Sequence, residues 1–287
     1  MTENYRNQVN MITNEDIRFY FDYLKIKFKK IDFSKYYLAY SGGRDSHFLY
    51  WFIKNILSDH ALKIVSVNTQ MEHKEIRERM QDNADVVLFP IMKHKEIKEK
   101  FGSPCFTKQQ DEYIDRYQKG NRSYNTMKFI LGTEKTMFKM SKKPKELLLK
   151  KKLHKISNKC CDKLKKEPMK KYEKEHHVKP ILGLRQTEGI MRNKIKSCNH
   201  KNGTFTPIFN LSDEMLEAIE HKYNIPVPKV YDYISRTGCM GCPYGRNIET
   251  ELSLITPAQK RFIVDYFKES YEIKGVNVKT TQKRLVA

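Results

Sequence analysis

Two sets of residues in this 287-residue chain have types and spacings that can do chemistry. The first is Ser41-Gly42-Gly43-Arg44-Asp45-Ser46. A glycine pair lets successive backbone N–H groups turn toward one centre, and a following helix adds the positive end of its dipole. Such a loop is an anion site, and Ser41 and Ser46 add hydroxyl donors. Asp45 is unusual beside a phosphate; it fits if it orients the loop or holds Mg²⁺. A Walker A loop would end in Gly-Lys-Ser/Thr, which is absent here. The competing structural reading is a tight strand-to-helix turn capped by serines.

The second set is Cys160-Cys161 together with Cys239-Met240-Gly241-Cys242. A Cys-x-x-Cys pair can chelate a metal from one turn, and Gly238 and Gly241 permit the sharp backbone this requires. Four thiolates from two segments suit zinc or an iron–sulfur cluster. The lysines around Cys160-Cys161 favour thiolates electrostatically. In a reducing cytosol the six cysteines read as ligands or redox groups before disulfides. Cys105 and Cys198 read first as inert thiols. Their functional alternatives are a sulfur-carrying Cys105 at the nucleotide site and a Cys198–His200 metal pair.

Positioning these groups takes a particular order of elements. Apolar residues at Ile17, Phe21, Leu24 and Phe28 mark a helix from Asn14 to about Lys30. Tyr36–Tyr40 is a short strand running into the glycine loop, and Ser46–Leu57 is apolar enough for a buried helix. A strand over Leu62–Asn68, a charged helix over Glu72–Gln81 and a strand over Asp85–Ile91 follow. This alternation predicts an α/β fold, a Rossmann-like parallel sheet with helices on both faces. Residues 107–178 show no strand pattern and read as a Lys-rich helical insertion. A fourth strand is expected at Pro180–Leu184. Ser212 caps a helix beginning DEMLEAIEHKY, and Thr256-Pro257 opens a last one. The expected organisation is an N-terminal helical segment (1–34) and a nucleotide-binding core (35–106 and 179–211). A basic insertion (107–178) carries Cys160 and Cys161, and a helical region (212–287) carries Cys239 and Cys242.

The glycine loop resembles the SGGxDS loop of PP-loop ATP pyrophosphatases. Within that adenine nucleotide alpha hydrolase superfamily the chain resembles the phosphoadenosine phosphosulfate (PAPS) reductase-like group over roughly residues 35–245. Gly183-Leu184-Arg185-Gln186-Thr187-Glu188-Gly189-Ile190-Met191-Arg192 is similar to the family's GxRxxESxxR signature, with Gly189 in place of Ser. The resemblance implies that Arg185 and Arg192 sit near phosphate or sulfate oxygens, where planar guanidinium makes bidentate contacts, and that Glu188 orients them. A surface turn bearing arginines is the plainer alternative. Thr206-Pro207-Ile208 to Tyr231 is similar to the family stretch that starts Pro-Ile and enters a helix at Ser212-Asp213-Glu214. Asn68 and Thr69 match the substrate loop after the second strand, although Gln70 stands where Gly is usual. Phe101–Lys108 resembles the family's Gly-x-Pro…Lys loop, which implies a catalytic Lys108. The Cys-Cys…Cys-x-x-Cys arrangement resembles the branch that binds a [4Fe–4S] cluster, with Zn²⁺ as the alternative.

The resemblance therefore implies binding of ATP with Mg²⁺ at Ser41–Ser46, Asn68, Thr69, Gly183, Arg185 and Glu188. Asp45, Arg185, Arg192 and Lys108 would serve catalysis, and Cys160, Cys161, Cys239 and Cys242 the cluster. The implied reaction is cleavage at the α-phosphate to AMP and pyrophosphate, activating a substrate for sulfur transfer. The alternatives are a sulfonucleotide reductase and a non-catalytic nucleotide- or nucleic-acid-binding module. Reductases of this group use a Cys in a C-terminal Glu-Cys-Gly-x-His motif. No cysteine follows Cys242, which ranks the reductase second.

Composition sets the partners. The net charge is +21, and residues 135–179 alone hold 17 Lys against 5 Asp or Glu. That concentration predicts tRNA or DNA contact through this segment, against a solvated helical face as the plain alternative. A sulfur-donor protein and a homodimer stay open as partners. No apolar run approaches the ~20 residues of a membrane span. The N-terminus lacks the pattern of a signal peptide, so a cytoplasmic location without membrane contact is expected.

Overall fold

The computed structural model describes residues 3–132, 138–188, 198 and 200–279. They divide between two compact units, each assembled from separate stretches of chain. The first is Met1–Asn68, Lys74–Leu88 and Met169–Tyr231; the second is Thr69–His73, Phe89–Pro168 and Asp232–Ala287.

In the first unit α1 (Glu3–Asn10) precedes α2 (Asn14–Phe28). Thr13 starts α2 through a reciprocal capping box with Asp16. The stripe of Ile17, Phe21, Leu24 and Phe28 is buried, as the spacing requires. β1 (Tyr36–Ala39) leads through the glycine loop into α3 (Arg44–Asn55). β2 (Ile64–Val67), α4 (Lys74–Asn83) and β3 (Val86–Leu88) follow.

Several boundaries differ from the sequence expectation, and two of them do so for clear local reasons. α4 begins at Lys74, two residues late, because Glu72 is used in the preceding turn, where it accepts from the Thr69 amide and hydroxyl. β3 has three residues instead of seven. Pro90 has no amide to donate, and Phe89 and Ile91 are 56% and 58% exposed.

The chain then forms α5 (His94–Phe101), α6 (Lys108–Gln118), α7 (Tyr124–Leu131), α8 (Lys142–Leu149) and α9 (Lys159–Cys161). A π-helical turn over Asp162–Lys166 joins α9 to α10 (Glu167–His176). β4 (Lys179–Leu182) returns to the sheet of the first unit, and α11 (Asp213–Lys222) follows it. Ser212 caps α11 by accepting from the Met215 amide. α12 (Ile248–Leu254) and α13 (Pro257–Tyr266) come next. α13 opens with the expected Thr256 cap and Pro257, but α14 (Lys268–Lys274) follows it, so α13 is not the last helix.

The sheet of the first unit has four parallel strands in the order β3-β2-β1-β4. The fold is mixed α/β with helices flanking this sheet. β2 is buried along its whole length, as a strand covered on both sides must be. Phe28, Leu38, Phe48, Phe52 and Val65 are among the fully buried side chains of this unit, and the Phe28 ring packs on those of Phe52 and Phe205.

Strands are added outward from β1 on one side as β2 and β3, and on the other side as β4. The order therefore reverses between β1 and β4, and a crevice at the carboxyl ends of those two strands is where open parallel sheets place ligands. The glycine loop follows β1 and Gly183-Leu184-Arg185 follows β4.

The second unit holds two apolar clusters. One gathers Met71, Ile97, Leu164, Leu252, Ile263 and Phe267 around Cys160. The other gathers Ile114, Phe129, Ile130, Met140 and Ile156 around Cys105. No helix among the described residues is long and apolar enough to cross a membrane.

Candidate functional site

Gly42 shapes the loop after β1. Its φ is +72°, in the left-handed region, and a Cβ there would come within 2.8 Å of the Ile76 carbonyl oxygen. Only glycine fits that backbone without strain. Gly43 caps α3 with no side-chain hydrogen bond, so the helix N-terminus is open. Gly42 and Gly43 are both buried, and their amides have no acceptor among the described residues. Buried amides are nearly always paired, so this pair marks a place for an anion.

The serines brace the loop. Their hydroxyl oxygens are 3.0 Å apart, Ser46 Oγ donates to the Gly43 carbonyl at 3.1 Å, and it accepts from the Ser41 amide at 3.2 Å. Gly183, at the end of β4, packs against the start of α3. A Cβ on it would lie 2.9 Å from the Ser46 nitrogen and 3.0 Å from the Asp45 carbonyl carbon. The Gly183-Leu184-Arg185 turn thus reaches the loop because position 183 has no side chain.

Arg185 is 7% exposed and explains Asp45. Its Nε donates to Asp45 Oδ1 at 2.7 Å and its Nη1 to Asp213 Oδ1 at 2.5 Å. Burial pushes the Asp45 carboxyl up from the ordinary carboxylate range, and the Arg185 guanidinium opposes that. A carboxylate beside a phosphate is thereby matched by a cation. Arg185 itself stays charged: burial works against it, and Asp45 and Asp213 outweigh burial.

Arg44 behaves differently from its neighbours. Its amide donates to the Tyr231 hydroxyl at 3.1 Å. Its guanidinium forks onto Glu220, with Nε 3.0 Å from both carboxylate oxygens, and lies near Glu217. Sequence reading places Arg44 on the nucleotide; in the structure its side chain is committed to α11. His47, one turn into α3, is buried and pairs with the Tyr40 hydroxyl at 2.8 Å. Burial lowers its pKa to about 4.

Other expected residues fall elsewhere. The Asn68 amide donates to the Leu88 carbonyl, and the Thr69 amide and hydroxyl both donate to Glu72. Lys108 is the exposed first residue of α6 in the second unit. Arg192 lies outside the described residues, as does the side chain of Glu188. Sequence reasoning missed Asp213, Glu220 and Tyr231 as partners of this site. The Ser212-Asp213-Glu214 helix start was the available signal for the first, and nothing local marked the other two.

In the second unit Cys160, Cys161, Cys239 and Cys242 come together. Burial first, and then Cys239, Cys161 and Cys242, push the Cys160 thiol far up. Cys242 is pushed up to about 12 by burial and then by Cys239, while an N–H from Tyr244 onto its sulfur works against this. Lys165, on the π-helical turn, lies beside Cys239 and Cys161 and 3.5 Å from Glu72. Its ammonium is held above its ordinary range: burial opposes the charge, and Cys239 and Glu72 outweigh it.

The Cys-x-x-Cys turn is tied down by the Gly241 amide donating to Glu251 at 2.8 Å and by the Met240 amide donating to Met71 O at 2.7 Å. The Tyr266 hydroxyl is buried against Cys160 with no nitrogen or oxygen partner among the described residues. Among those residues no three or more His, Cys, Asp or Glu groups close on a point that one metal ion would occupy.

Cys105 is separate from this cluster and fully buried. Its thiol is pushed up to about 12 by burial and by Asp111, which leaves it inert. Of the Cys198–His200 pair, the His200 Nε2 lies 3.1 Å from the Thr206 hydroxyl.

Residues 106–244 match the family model described as "Phosphoadenosine phosphosulfate reductase domain". The match takes in just under half of the chain and supports the resemblance to the PAPS reductase-like family. The matched range includes Arg185 and the four clustered cysteines, and it begins after the glycine loop. No curated protein matches the chain. Among solved structures, one that matches is the phosphate complex of a phosphoadenylyl-sulfate reductase from Candida auris. It has 12% identity and a TM-score of 0.43, over 79% of this chain and 96% of that one.

Proposed function

We propose that this PAPS reductase-like chain binds ATP, or a related adenine nucleotide, at the loop after β1 and cleaves it at the α-phosphate. An oxygen of the acceptor attacks the α-phosphorus, the bond to the β-phosphate oxygen breaks, and pyrophosphate leaves. Sulfur then displaces AMP from the adenylated acceptor. The observation that carries this reading is the pair of buried amides at Gly42 and Gly43, unpartnered among the described residues and backed by the N-terminus of α3 and by Arg185. Charge building on the α-phosphate is what such a transfer must neutralise, and fixed amides and a buried guanidinium do so without reorganising. Mg²⁺ would travel with the triphosphate, and Asp213, whose side chain is half exposed, is the carboxylate placed to meet it. Lys108 and Arg192 are assigned to the same reaction by family resemblance.

The cysteines are assigned to a [4Fe–4S] cluster. Four cysteines brought together, an N–H aimed at Cys242, a cation at Cys239 and, at Cys160, a hydroxyl with no nitrogen or oxygen partner among the described residues fit a group held by sulfur. Zn²⁺ is the alternative occupant of the same four cysteines. When bound, such a cluster supplies one-electron chemistry. The raised thiol pKa values mean that protons must leave as it binds. The acceptor is assigned to nucleic acid, tRNA or DNA, through the lysines of residues 135–179, with a sulfur-donor protein as the second partner.

The family match also favours a second reading, reduction of a sulfonucleotide bound in the same cradle. One assay separates them. Purified anaerobically, the protein is given ATP with and without tRNA or DNA, and in parallel PAPS or adenylylsulfate with a thiol reductant. Pyrophosphate release, raised by nucleic acid, supports the proposal. Sulfite without pyrophosphate supports the reductase. Neither product, with nucleotide still bound, leaves a binding module.

A further inference from the structure

The second unit contains a cleft of about 600 Å³ apart from the cysteines. Its wall is aromatic: Phe262 stacks on Tyr266 at 6.1 Å between centroids, and His94 meets both rings edge-on at 5.7 and 5.8 Å. Phe262 is 46% exposed, so one face of its ring is open. His94 and His154 both line the cleft, and each has a buried ring nitrogen, Nε2 and Nδ1 respectively, with no hydrogen-bond partner among the described residues. Burial holds both imidazoles below their ordinary pKa, so they are neutral and each nitrogen takes the donor or acceptor role by tautomer.

The charged groups sort themselves. Lys98 is held by Glu269 at 2.9 Å, and Lys155 by the carbonyls that end α5. The exposed Asp265 carboxylate has no partner among the described residues. Just before His154 in the chain come Lys150, Lys151 and Lys152, all exposed and with no ion pair among the described residues. The cleft is thus an aromatic slot with one carboxylate free among the described residues, two buried imidazole nitrogens in its wall residues, and three exposed lysines shortly before His154 in the chain.

We propose that this cleft takes one adenine or cytosine base of a single-stranded nucleic acid, stacked on Phe262. The exocyclic amine donates to Asp265, a ring nitrogen accepts from an imidazole N–H, and the adjoining phosphates lie along Lys150–Lys152. Thymine and uracil lack the amine, so these bind less well. The base lies across Tyr266 from Cys160, since the Tyr266 ring walls the cleft and its hydroxyl touches that thiol. This deepens the nucleic-acid reading above and rests on it for the partner's class.

Fluorescence anisotropy of labelled oligo-dA, oligo-dC and oligo-dT, and their RNA counterparts, without ATP, tests it. The wild type binds A and C oligonucleotides about tenfold more tightly than T or U. Phe262→Ala, at an exposed ring, weakens the A oligonucleotide by about tenfold, the scale of one base stack, and does not change binding of an abasic strand. Asp265→Leu, which has no acceptor, removes the preference for A and C. Replacing Lys150, Lys151 and Lys152 by Ala lowers the salt slope by about 2. Equal affinity for all bases, or a Phe262→Ala variant that binds like wild type, overturns the proposal. Free adenosine or cytidine binding as tightly as the oligonucleotide overturns the nucleic-acid source and leaves a nucleoside site. Loss of base selectivity with pyrophosphate release intact refutes the cleft alone. Base selectivity with no pyrophosphate release refutes the nucleotide reaction alone.

Discussion

The loop after β1 and the cysteine cluster solve the same problem, holding a charged ligand, from opposite starting points. The loop uses backbone. Gly42 and Gly43 leave two buried amides without a partner among the described residues, and the nearby guanidiniums are already paired, Arg185 with Asp45 and Asp213 and Arg44 with Glu220. The site is preorganised and needs no change of protonation to receive an anion. The cysteine cluster uses side chains brought from residues 160–161 and 239–242. Burial and neighbouring sulfurs push the Cys160, Cys239 and Cys242 thiols up, so these become ligands only by losing protons. The first region is formed before its ligand arrives; the second is completed by it.

That contrast can be broken by substitution. The largest effect is expected at the cysteines. Cys239→Ser or Cys160→Ser should remove nearly all iron and the absorbance near 400 nm, while ATP affinity stays within about twofold, as titration calorimetry would read. A parallel loss of ATP binding would show that the two regions are not independent. Next is Arg44→Met, which leaves Glu220 buried and unpaired. Chemical denaturation should show a loss of about 3 kcal/mol, with little change in ATP affinity because the guanidinium serves α11. A large fall in affinity at unchanged stability would return Arg44 to the nucleotide.

His47 gives the pH dependence of the first unit. Its folded pKa, about 4, lies below the ordinary 6.5, so the unfolded chain takes up the proton first. Stability should be full above about pH 6.5 and fall by ~3 kcal/mol as pH drops toward 4, one pKa unit being about 1.4 kcal/mol. His47→Gln should flatten that slope. The smallest effect is expected from Gly183→Ala. Its new Cβ presses on the Ser46 nitrogen and should weaken ATP binding by about tenfold without altering iron content.

How much of this was legible in the sequence follows the same contrast. SGGRDS is contiguous, and its apolar flanks make a strand and a helix, so loop and parallel sheet could be read together. What could not be read is where the neighbouring carboxylates go. The pairing of Asp45 with Arg185 crosses 140 positions and depends on β4 lying beside β1. Glu220 and Tyr231 carry no local mark because their role comes from packing on α3. The turn at Thr69–Glu72 delayed α4 because one glutamate side chain competes for the amides that would start the helix. The four cysteines could be paired by chemistry alone. Their support by Lys165, Tyr266 and the Tyr244 amide could not, since those contacts arise from a π-helical turn and from α13. Arg192, half of the expected arginine pair, falls outside the described residues.

The central claim is that a nucleotide is cleaved at its α-phosphate in the cradle of Gly42, Gly43 and Arg185. The most direct test is single-turnover release of pyrophosphate from α-labelled ATP by the wild type and by Arg185→Ala, each checked for folding. The account predicts labelled AMP and pyrophosphate in equal amounts from the wild type, and a rate lower by at least about a hundredfold in the variant, the scale of losing one charge-stabilising donor. An unchanged rate in Arg185→Ala, or label released only as ADP, would contradict it.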